Sequence, residues 1–458
     1  MFPTFLKTPN MFHKFKYLIS ALLLVATLQS CATYYDKAQK IESALLVHDY
    51  DKAKKSITHN KFLQKKRNSL LFHLEMGKVY HLENDFDTSN YHFNIADGLM
   101  EENAVVTDFL VSTIVNPNMQ VYRANANEKI VIHYYKALNY LQLGKIDDAV
   151  VEARKLNLKE QALFIDKKGK DKKYAQDPFG LLLMGMIYEA DNDFNNAFIT
   201  YRNAYEYYQK SKVFKDKMPA TLISDVNRTA KFSGINYNVG SDITVSTKGE
   251  GGELILFWEN GLAPIKREKN VYFTMIQGNK KGVYFFSDQN SNLQIPITYD
   301  FSNGDKEFNP SDIGLLRISS SYFESRPMYN HRASLNVNNK PYYFNMGEDI
   351  EQLAFQMEKE DYLKELGKRL TRMVVKKVAE LALADQNEAA GLALGIANFA
   401  MEKADTRNWQ SLPNQIYYAR IPLKKGQNKV VVTLENGKQV SLDVLGKGGM
   451  QFKSVVTY

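Results

Sequence analysis

The sequence predicts an α+β fold: a helical N-terminal half built from repeated helix pairs, followed by an antiparallel β-rich half that carries a helical hairpin. Three observations predict it. In the first half, small and aromatic residues recur at helical spacing. Near Gly234 the pattern changes to short alternating runs punctuated by Gly, Asn and Pro. Residues 348–403 contain no proline and are rich in helix formers. The expected organisation is a leader at 1–30, a helical repeat domain at 31–233, and a β-rich domain at 234–458 with its hairpin at about 348–403.

The leader comes first. His13, Lys14 and Lys16 precede the largely apolar stretch Tyr17 to Thr27, and Leu28-Gln29-Ser30-Cys31 follows. A basic start, a short apolar run and a small residue at the cleavage point make a secretory signal. The run is too short to span a bilayer. Met11 opens a complete leader by itself, so the first ten residues read as an unused upstream start. Cys31 is the only cysteine, which excludes an intramolecular disulfide or a thiolate metal site. Leu28-Gln29-Ser30-Cys31 resembles the lipobox of bacterial lipoproteins. That resemblance implies cleavage before Cys31, a diacylglycerol on its thiol, and acylation of the new amino terminus. Ala32 and Thr33 in place of an aspartate imply sorting to the outer membrane; the side it faces, periplasm or outside, is left open by these residues, with the periplasm the expectation. The membrane partner is then reached through the Cys31 lipid.

The net charge of +8 falls to +5 without the leader, which holds Lys7, Lys14 and Lys16 and no acid. So mild an excess does not call for nucleic acid. No apolar run near 18 residues follows Cys31, so no further membrane span is expected.

Three segments of the helical half share one set of offsets. Gly77, Tyr80, Phe86, Ser89, Phe93 and Ala96 align with Ala137, Tyr140, Ile146, Ala149, Ala153 and Leu156, and with Gly185, Tyr188, Phe194, Ala197, Tyr201 and Ala204. Small residues let paired helices approach, and rings fill the gaps between pairs. Asn84-Asp85, Leu143-Gly144-Lys145 and Asp191-Asn192-Asp193 supply the turns. The pattern resembles the tetratricopeptide repeat, a helix–turn–helix unit that stacks into a solenoid. A weaker unit at 35–57, with Tyr50 and Ala53, reads as a terminal cap. The small positions 77, 137 and 185 are unevenly spaced, so insertions at 103–127 and 166–177 separate the units.

In the second half, residues 254–258, 271–276, 282–286, 293–299 and 332–337 read as strands, with turns at 278–282 and at Asn338-Asn339. Strands are again expected at 417–421, 429–434, 439–445 and 452–457, with a hairpin turn at Asn436-Gly437. These last strands complete the sheet begun at 254 if the 348–403 block is an insertion. That block breaks at Asp385-Gln386-Asn387. Its second arm is crowded with Ala and Gly and is expected to be buried in the core.

Two stretches stand apart. Phe257-Trp258-Glu259-Asn260-Gly261-Leu262-Ala263-Pro264-Ile265-Lys266 leaves an apolar strand, and Asp405-Thr406-Arg407-Asn408-Trp409-Gln410-Ser411-Leu412-Pro413 precedes Ala419-Arg420-Ile421-Pro422-Leu423. They resemble the Glu-Asn-Gly-Leu-Ala-Pro-x-Lys and Asp-Thr-Arg-x-Trp-x-x-Leu-Pro signatures of an uncharacterised family of bacterial lipoproteins with N-terminal tetratricopeptide-like helices. Both tryptophans lie in these stretches. The expected ion pairs are Glu259 with Lys266 and Asp405 with Arg407. Trp258, Glu259, Lys266, Asp405, Arg407 and Trp409 are the candidate binding residues, with a structural role weighed beside a binding one.

No nucleophile elbow, phosphate-cradling loop or His-Glu-x-x-His motif is present. Gly249-Glu250-Gly251-Gly252 precedes a strand and reads as a turn. Most of the histidines are scattered over the helical half at spacings that give no catalytic or metal set. The lysine cluster at 167–173 reads as a solvated loop. No cofactor and no metal are expected. The function expected is that of a non-enzymatic, lipid-anchored envelope scaffold whose helical repeats bind a protein partner. An envelope enzyme or activator acting on peptidoglycan or polysaccharide, or an accessory lipoprotein of a secretion system, are the alternatives.

Overall fold

The computed structural model describes residues 33–105, 119–164, 178–210, 215–240, 249–277, 283–288, 294–298, 302–303, 306–307 and 315–458. Cys31, the 167–173 lysine loop and the 278–282 turn lie outside the described residues.

Four helix pairs come first: α1 (Tyr34–Leu46) with α2 (Tyr50–Thr58), α3 (Ser69–Leu82) with α4 (Phe86–Val105), α5 (Ala126–Gln142) with α6 (Ile146–Phe164), and α7 (Phe179–Ala190) with α8 (Phe194–Lys210). Helix α9 (Ala220–Phe232) follows. Each pair turns on one left-handed residue, His48, Asn84, Gly144 or Asn192, with φ of 56°, 65°, 71° and 63°. The next N–H then reaches back into the helix, Asp85 to Tyr80 O, Lys145 to Tyr140 O and Asp193 to Tyr188 O, as in a helix closed by a left-handed residue. Asp49, Asp85 and Asp193 cap the second helix of their pairs by accepting from the N–H groups of Lys52, Thr88 and Asn196.

The aligned positions complement one another in volume. A Cβ on Gly77 would stand 2.5 Å from the Phe93 ring, and one on Gly185 would stand 2.5 Å from the Tyr201 ring. In the middle pair the same places hold Ala137 and Ala153, both buried. A missing side chain meets a ring and a methyl meets a methyl, so the density of the interior is kept. Ser89, Ala96, Ala149, Ala197 and Ala204 are fully buried, and Ser89 Oγ also donates to Gly77 O at 2.7 Å. Tyr188 is buried, and Tyr80 and Tyr140 pack on the same core from partly exposed positions. Phe86 and Phe194 are half-buried, the latter against Phe232.

The remaining elements in chain order are β1 (Glu253–Asn260), β2 (Ile265–Gln277), β3 (Val283–Asp288), β4 (Gln294–Thr298), β5 (Ser302–Asn303), β6 (Lys306–Glu307), β7 (Leu315–Glu324), β8 (Ala333–Val337), β9 (Lys340–Tyr342), β10 (Asn345–Asp349), α10 (Ile350–Gln386), α11 (Glu388–Met401), β11 (Gln415–Pro422), β12 (Gly426–Leu434), β13 (Gln439–Gly446) and β14 (Met450–Thr457). They form sheets of order β10-β11-β1-β14, β13-β12-β8-β9 and β4-β3-β2-β7, with β5-β6 a small ribbon. Among the described residues every pairing is antiparallel except β1 with β14. β10 and β11 pair directly, Asn345 opposite Tyr418, so α10 and α11 are an insertion within one sheet. Strand β7 is longer than most and was not expected from the sequence, because Ser319-Ser320-Ser321 interrupts its apolar alternation.

Strand β1 explains the layering. All eight of its residues are buried. Leu254, Leu256 and Trp258 face the second sheet, while Ile255 and Phe257 join the core of the helical half. Strict alternation on a strand buried on both faces puts this sheet between the helices and the second sheet. The apolar core therefore crosses the expected 233/234 boundary without a break. The third sheet packs on α10 through Val271, Phe273, Leu316 and Ile318 against Leu366, Leu370 and Val374.

The Ala- and Gly-rich arm departs from expectation. It is α11, and Leu392, Ile396 and Phe399 on it are 66%, 47% and 58% exposed. Its small residues explain this: Gly391 lies against Ala384 and Gly395 against Glu380 of α10. That narrow contact turns the larger apolar side chains outward.

Candidate functional site

The two motif stretches run side by side. Asn414 N–H donates to Asn260 O at 3.0 Å, and Ala263 N–H donates to Leu412 O at 2.8 Å. Asn408 Nδ2 donates to Pro264 O at 2.9 Å and Asn408 Oδ1 accepts from Lys266 N–H. Residues 405–413 form no regular element, yet most are buried. Buried irregular backbone needs partners, and the helices supply them. Glu128 accepts from Trp409 N–H at 2.7 Å, and Glu75 from Gln410 N–H at 3.1 Å. Arg326 donates to Gln410 O and to Ala263 O. Burial raises Glu75 to about 6, against hydrogen bonds from Ser411, Gln410 and Tyr34 that hold it down.

The tryptophans face opposite layers. Trp258 stacks on Tyr417 at 4.8 Å in the core between the sheets, and its Nε1 donates to Thr457 Oγ1 at 2.8 Å. Trp409 lies 5.7 Å from Phe93 and 5.9 Å from Tyr135, with Nε1 donating to Ser411 Oγ. Both are packed rings with satisfied N–H groups, and neither is a floor open to ligand.

The expected pairing of Glu259 with Lys266 is not formed. Glu259 follows Ile255 and Phe257 on the helical face of β1 and meets Lys78 of α3, Nζ to Oε2 2.5 Å, with both side chains buried. Tyr135 also donates to Oε2, at 2.9 Å. Burial alone would raise the carboxyl; Lys78 and His81 overcome it and hold Glu259 below the usual carboxylate range. Six residues along β1 from Glu259 stands Glu253, which Arg420 of β11 joins to Glu189 and Asp225, with Arg228 completing the cluster. Glu189 is held at about 2: burial opposes this, but Arg420 and Arg228 dominate. Two ionic pins thus clamp the helices to the central strand about 20 Å apart. Arg420 and Lys78 escape a reading from sequence, because each is defined by a partner hundreds of residues away.

Asp405 and Arg407 do pair, Oδ2 to Nη2 2.5 Å. Arg407 is buried and also donates to Asn68 Oδ1 at 2.7 Å and Gln120 O at 3.1 Å. Lys266 is half-buried, with Nζ donating to Asn125 Oδ1 at 2.5 Å and standing 5.2 Å from the Phe323 ring. Burial pushes the Lys266 ammonium below its ordinary value; Asp405 and Glu128 act against that. Among the described residues no carboxylate lies within ion-pair distance of it.

Lys266, Asp405 and Arg407 line one cavity of about 450 Å³ between the two halves. Its walls come from Tyr122, Arg123 and Lys129 on the helical side, Tyr322 and Phe323 of β7, and Tyr362 and Arg369 of α10. Basic side chains outnumber the acids Glu358, Glu365 and Asp405. Those acids are engaged: Glu358 accepts from Phe323 N–H, Glu365 pairs with Lys368 and Asp405 with Arg407. Glu259, Trp258 and Trp409 do not line the cavity.

One trio among the described residues has metal-ligand spacing. Asp97, His133 and Glu152 bring ligand atoms within 4.8 Å of one another. Lys136 Nζ stands 3.2 Å from Asp97 and 3.0 Å from Glu152, and Lys155 Nζ 3.1 Å from Glu152. The cationic charge that two carboxylates call for is thus supplied by lysines. Glu152 is held at about 2, His133 and Lys136 outweighing burial. Three different helices carry the trio, which is why residue spacing did not reveal it.

No helix among the described residues is long and apolar enough to cross a membrane. Comparison with protein-family models, with curated proteins and with solved structures finds no match.

Proposed function

We propose that this chain is a non-enzymatic, lipid-anchored binding protein of the cell envelope, with a tetratricopeptide-like helical half, whose ligand seat is the cleft between its halves. One observation carries the proposal: Lys266, from the first motif, and Asp405 and Arg407, from the second, converge on a single cavity rimmed by basic and aromatic side chains. Lys266 offers a partly desolvated ammonium without a carboxylate, a seat for an acidic group. The ligand class that fits is an acidic segment of an envelope protein. The repeated glycine–ring and alanine–alanine contacts and the shared left-handed turns support the repeat assignment.

A partner of the helical array does not use its inner face. α3, α5 and α7 are covered there by the chain's own central sheet and by residues 405–413. The helical surface left to solvent includes Tyr91, Val151, Leu158 and Ile199 on α4, α6 and α8. The alternative of an envelope enzyme would draw on Glu259, Lys266, Asp405 and Arg407, of which Glu259 is buried against Lys78 and Asp405 is paired with Arg407. The test is a photo-crosslinker at Tyr322 on the cleft wall or at Tyr91 on the outer helices, read in intact envelopes. A protein adduct from Tyr322 that Lys266→Glu abolishes supports the cleft. Adducts from Tyr91 alone would move the binding surface to the outer helices.

A further inference from the structure

The exposed arm α11 has an unusual surface. Ala389, Leu392, Ala393, Ile396 and Phe399 all face solvent, at spacings of three and four that align them on one side of the helix. No charged residue occurs between Ala389 and Met401. Fourteen residues give an apolar ridge about 21 Å long. A ridge of that kind on a monomer marks an interaction surface.

The neighbours of its foot bear on what covers it. Arg317 donates to Phe399 O and Glu402 O, fixing the foot of α11 on the third sheet. Seven residues beyond Phe399, Thr406 Oγ1 accepts from Tyr34 N–H at 3.4 Å. Tyr34 opens α1 and is three residues from Cys31, so α1 begins beside the segment that follows α11. Basic side chains gather there as well. Lys37 and Lys65 are exposed, and among the charges that act on Lys37 the cations Lys65, Lys403 and Arg67 outnumber the one acid, Asp36. The acids of the hairpin turn, Asp385 and Glu388, lie at the far end. Cationic foot, apolar ridge and anionic tip are the arrangement that an anionic lipid surface would hold foot-first.

We infer that the ridge of α11, with the basic foot formed by Lys37, Lys65, Arg67 and Lys403, is a membrane-contact surface that rests on the anionic lipid leaflet. The inference extends the lipid-anchor reading: the acyl chains expected on Cys31 would hold the chain to the leaflet, and the ridge would add a second contact beside them. It also fixes orientation: with the ridge on lipid, the arm holds the body at a set distance and does not leave it free to swing on a tether.

The experiment uses a chain beginning at residue 32, which retains every described residue and lacks the acylated cysteine. It is sedimented with vesicles of phosphatidylethanolamine mixed with phosphatidylglycerol, and with phosphatidylcholine vesicles as the neutral arm. Binding is expected on the anionic vesicles. Leu392→Ser/Ile396→Ser/Phe399→Ser is expected to weaken it about tenfold or more, and Lys37→Glu/Lys65→Glu to weaken it on anionic vesicles alone. All five positions are exposed, so unchanged thermal melting verifies the fold. Equal binding by the triple variant, or no binding by the parent chain, overturns the inference. So does a dimer of the parent chain that the triple variant dissolves, since the ridge would then face a second copy. Labelling the full chain with a palmitate analogue, with and without Cys31→Ala, tests the anchor separately. Loss of that reading leaves the vesicle result standing on its own.

Discussion

Trp258 and Trp409 sit in motifs that touch through backbone hydrogen bonds, yet they serve different layers. Trp258 belongs to a regular strand whose neighbours satisfy its backbone, and its ring closes the space between two sheets. Trp409 belongs to an irregular segment whose backbone is satisfied by Glu75 and Glu128 from the helices, and its ring fills the helical core. Regular structure carries its own hydrogen-bond partners, whereas an irregular buried segment depends on side chains placed by distant sequence. The second motif is therefore the joint between the halves, and the first is the rail it is fixed to.

The strongest way to break this contrast is to remove each ring. Trp409→Ala and Trp258→Ala should each lower stability by about 3–5 kcal/mol in chemical denaturation. Only Trp409→Ala should also abolish amide-exchange protection across 405–413 while β1 stays protected. Equal loss of protection in both variants would mean that the two motifs open as one unit.

Next in size is the Lys78–Glu259 pin. Lys78→Met leaves a carboxylate buried without its cation and should cost about 3–5 kcal/mol. Lys78→Met with Glu259→Leu should regain much of that. A double variant no better than the single one would show that Glu259 is held by its tyrosines and not by the pair.

Acid sharpens the comparison further. His81, beside this pin, is held at about 4 by burial and by Lys78. From pH 6.5 down to 4 the unfolded chain takes up a proton that the native chain refuses, so stability falls with acidification by about 3 kcal/mol. Glu75, beside Trp409, is raised to about 6. Between pH 6 and 4.5 the native chain protonates first there, which adds stability on the acid side. His81→Gln should flatten the first trend and Glu75→Gln the second, seen in melting temperature against pH. Below pH 4.5 the depressed carboxyls Glu189 and Glu152, both at about 2, add a further loss. The smallest expected effect is at Lys266: Lys266→Ala should change stability by under about 1 kcal/mol while removing the cleft's crosslinked partner.

Much of the fold was legible because it is local. Helix pairs, their turns at 84, 144 and 192, and the outer strands follow from periodicity and turn chemistry within a few residues. The interrupted alternation of β7 and the outward face of α11 were not, because a serine run and an Ala/Gly-rich stretch read the same whichever side they present. The site was legible only in part. Asp405 with Arg407 is a contact two residues apart, whereas Lys266 needed β2, β7, α5 and α10 to become a cleft wall.

By itself the sequence determined the single cysteine, the small-to-large complementarity within each helix pair, and the division into helical and β-rich stretches. These depend on neighbours at fixed offsets along the chain. Only the tertiary structure decided that the inner helical face is filled by the chain's own sheet, that Glu259 belongs to Lys78, that the motif cations open into a cleft, and that α11 turns its apolar side outward. Each of these is a contact between residues far apart in sequence, and burial, which sets their charge and packing, exists only once those residues have met.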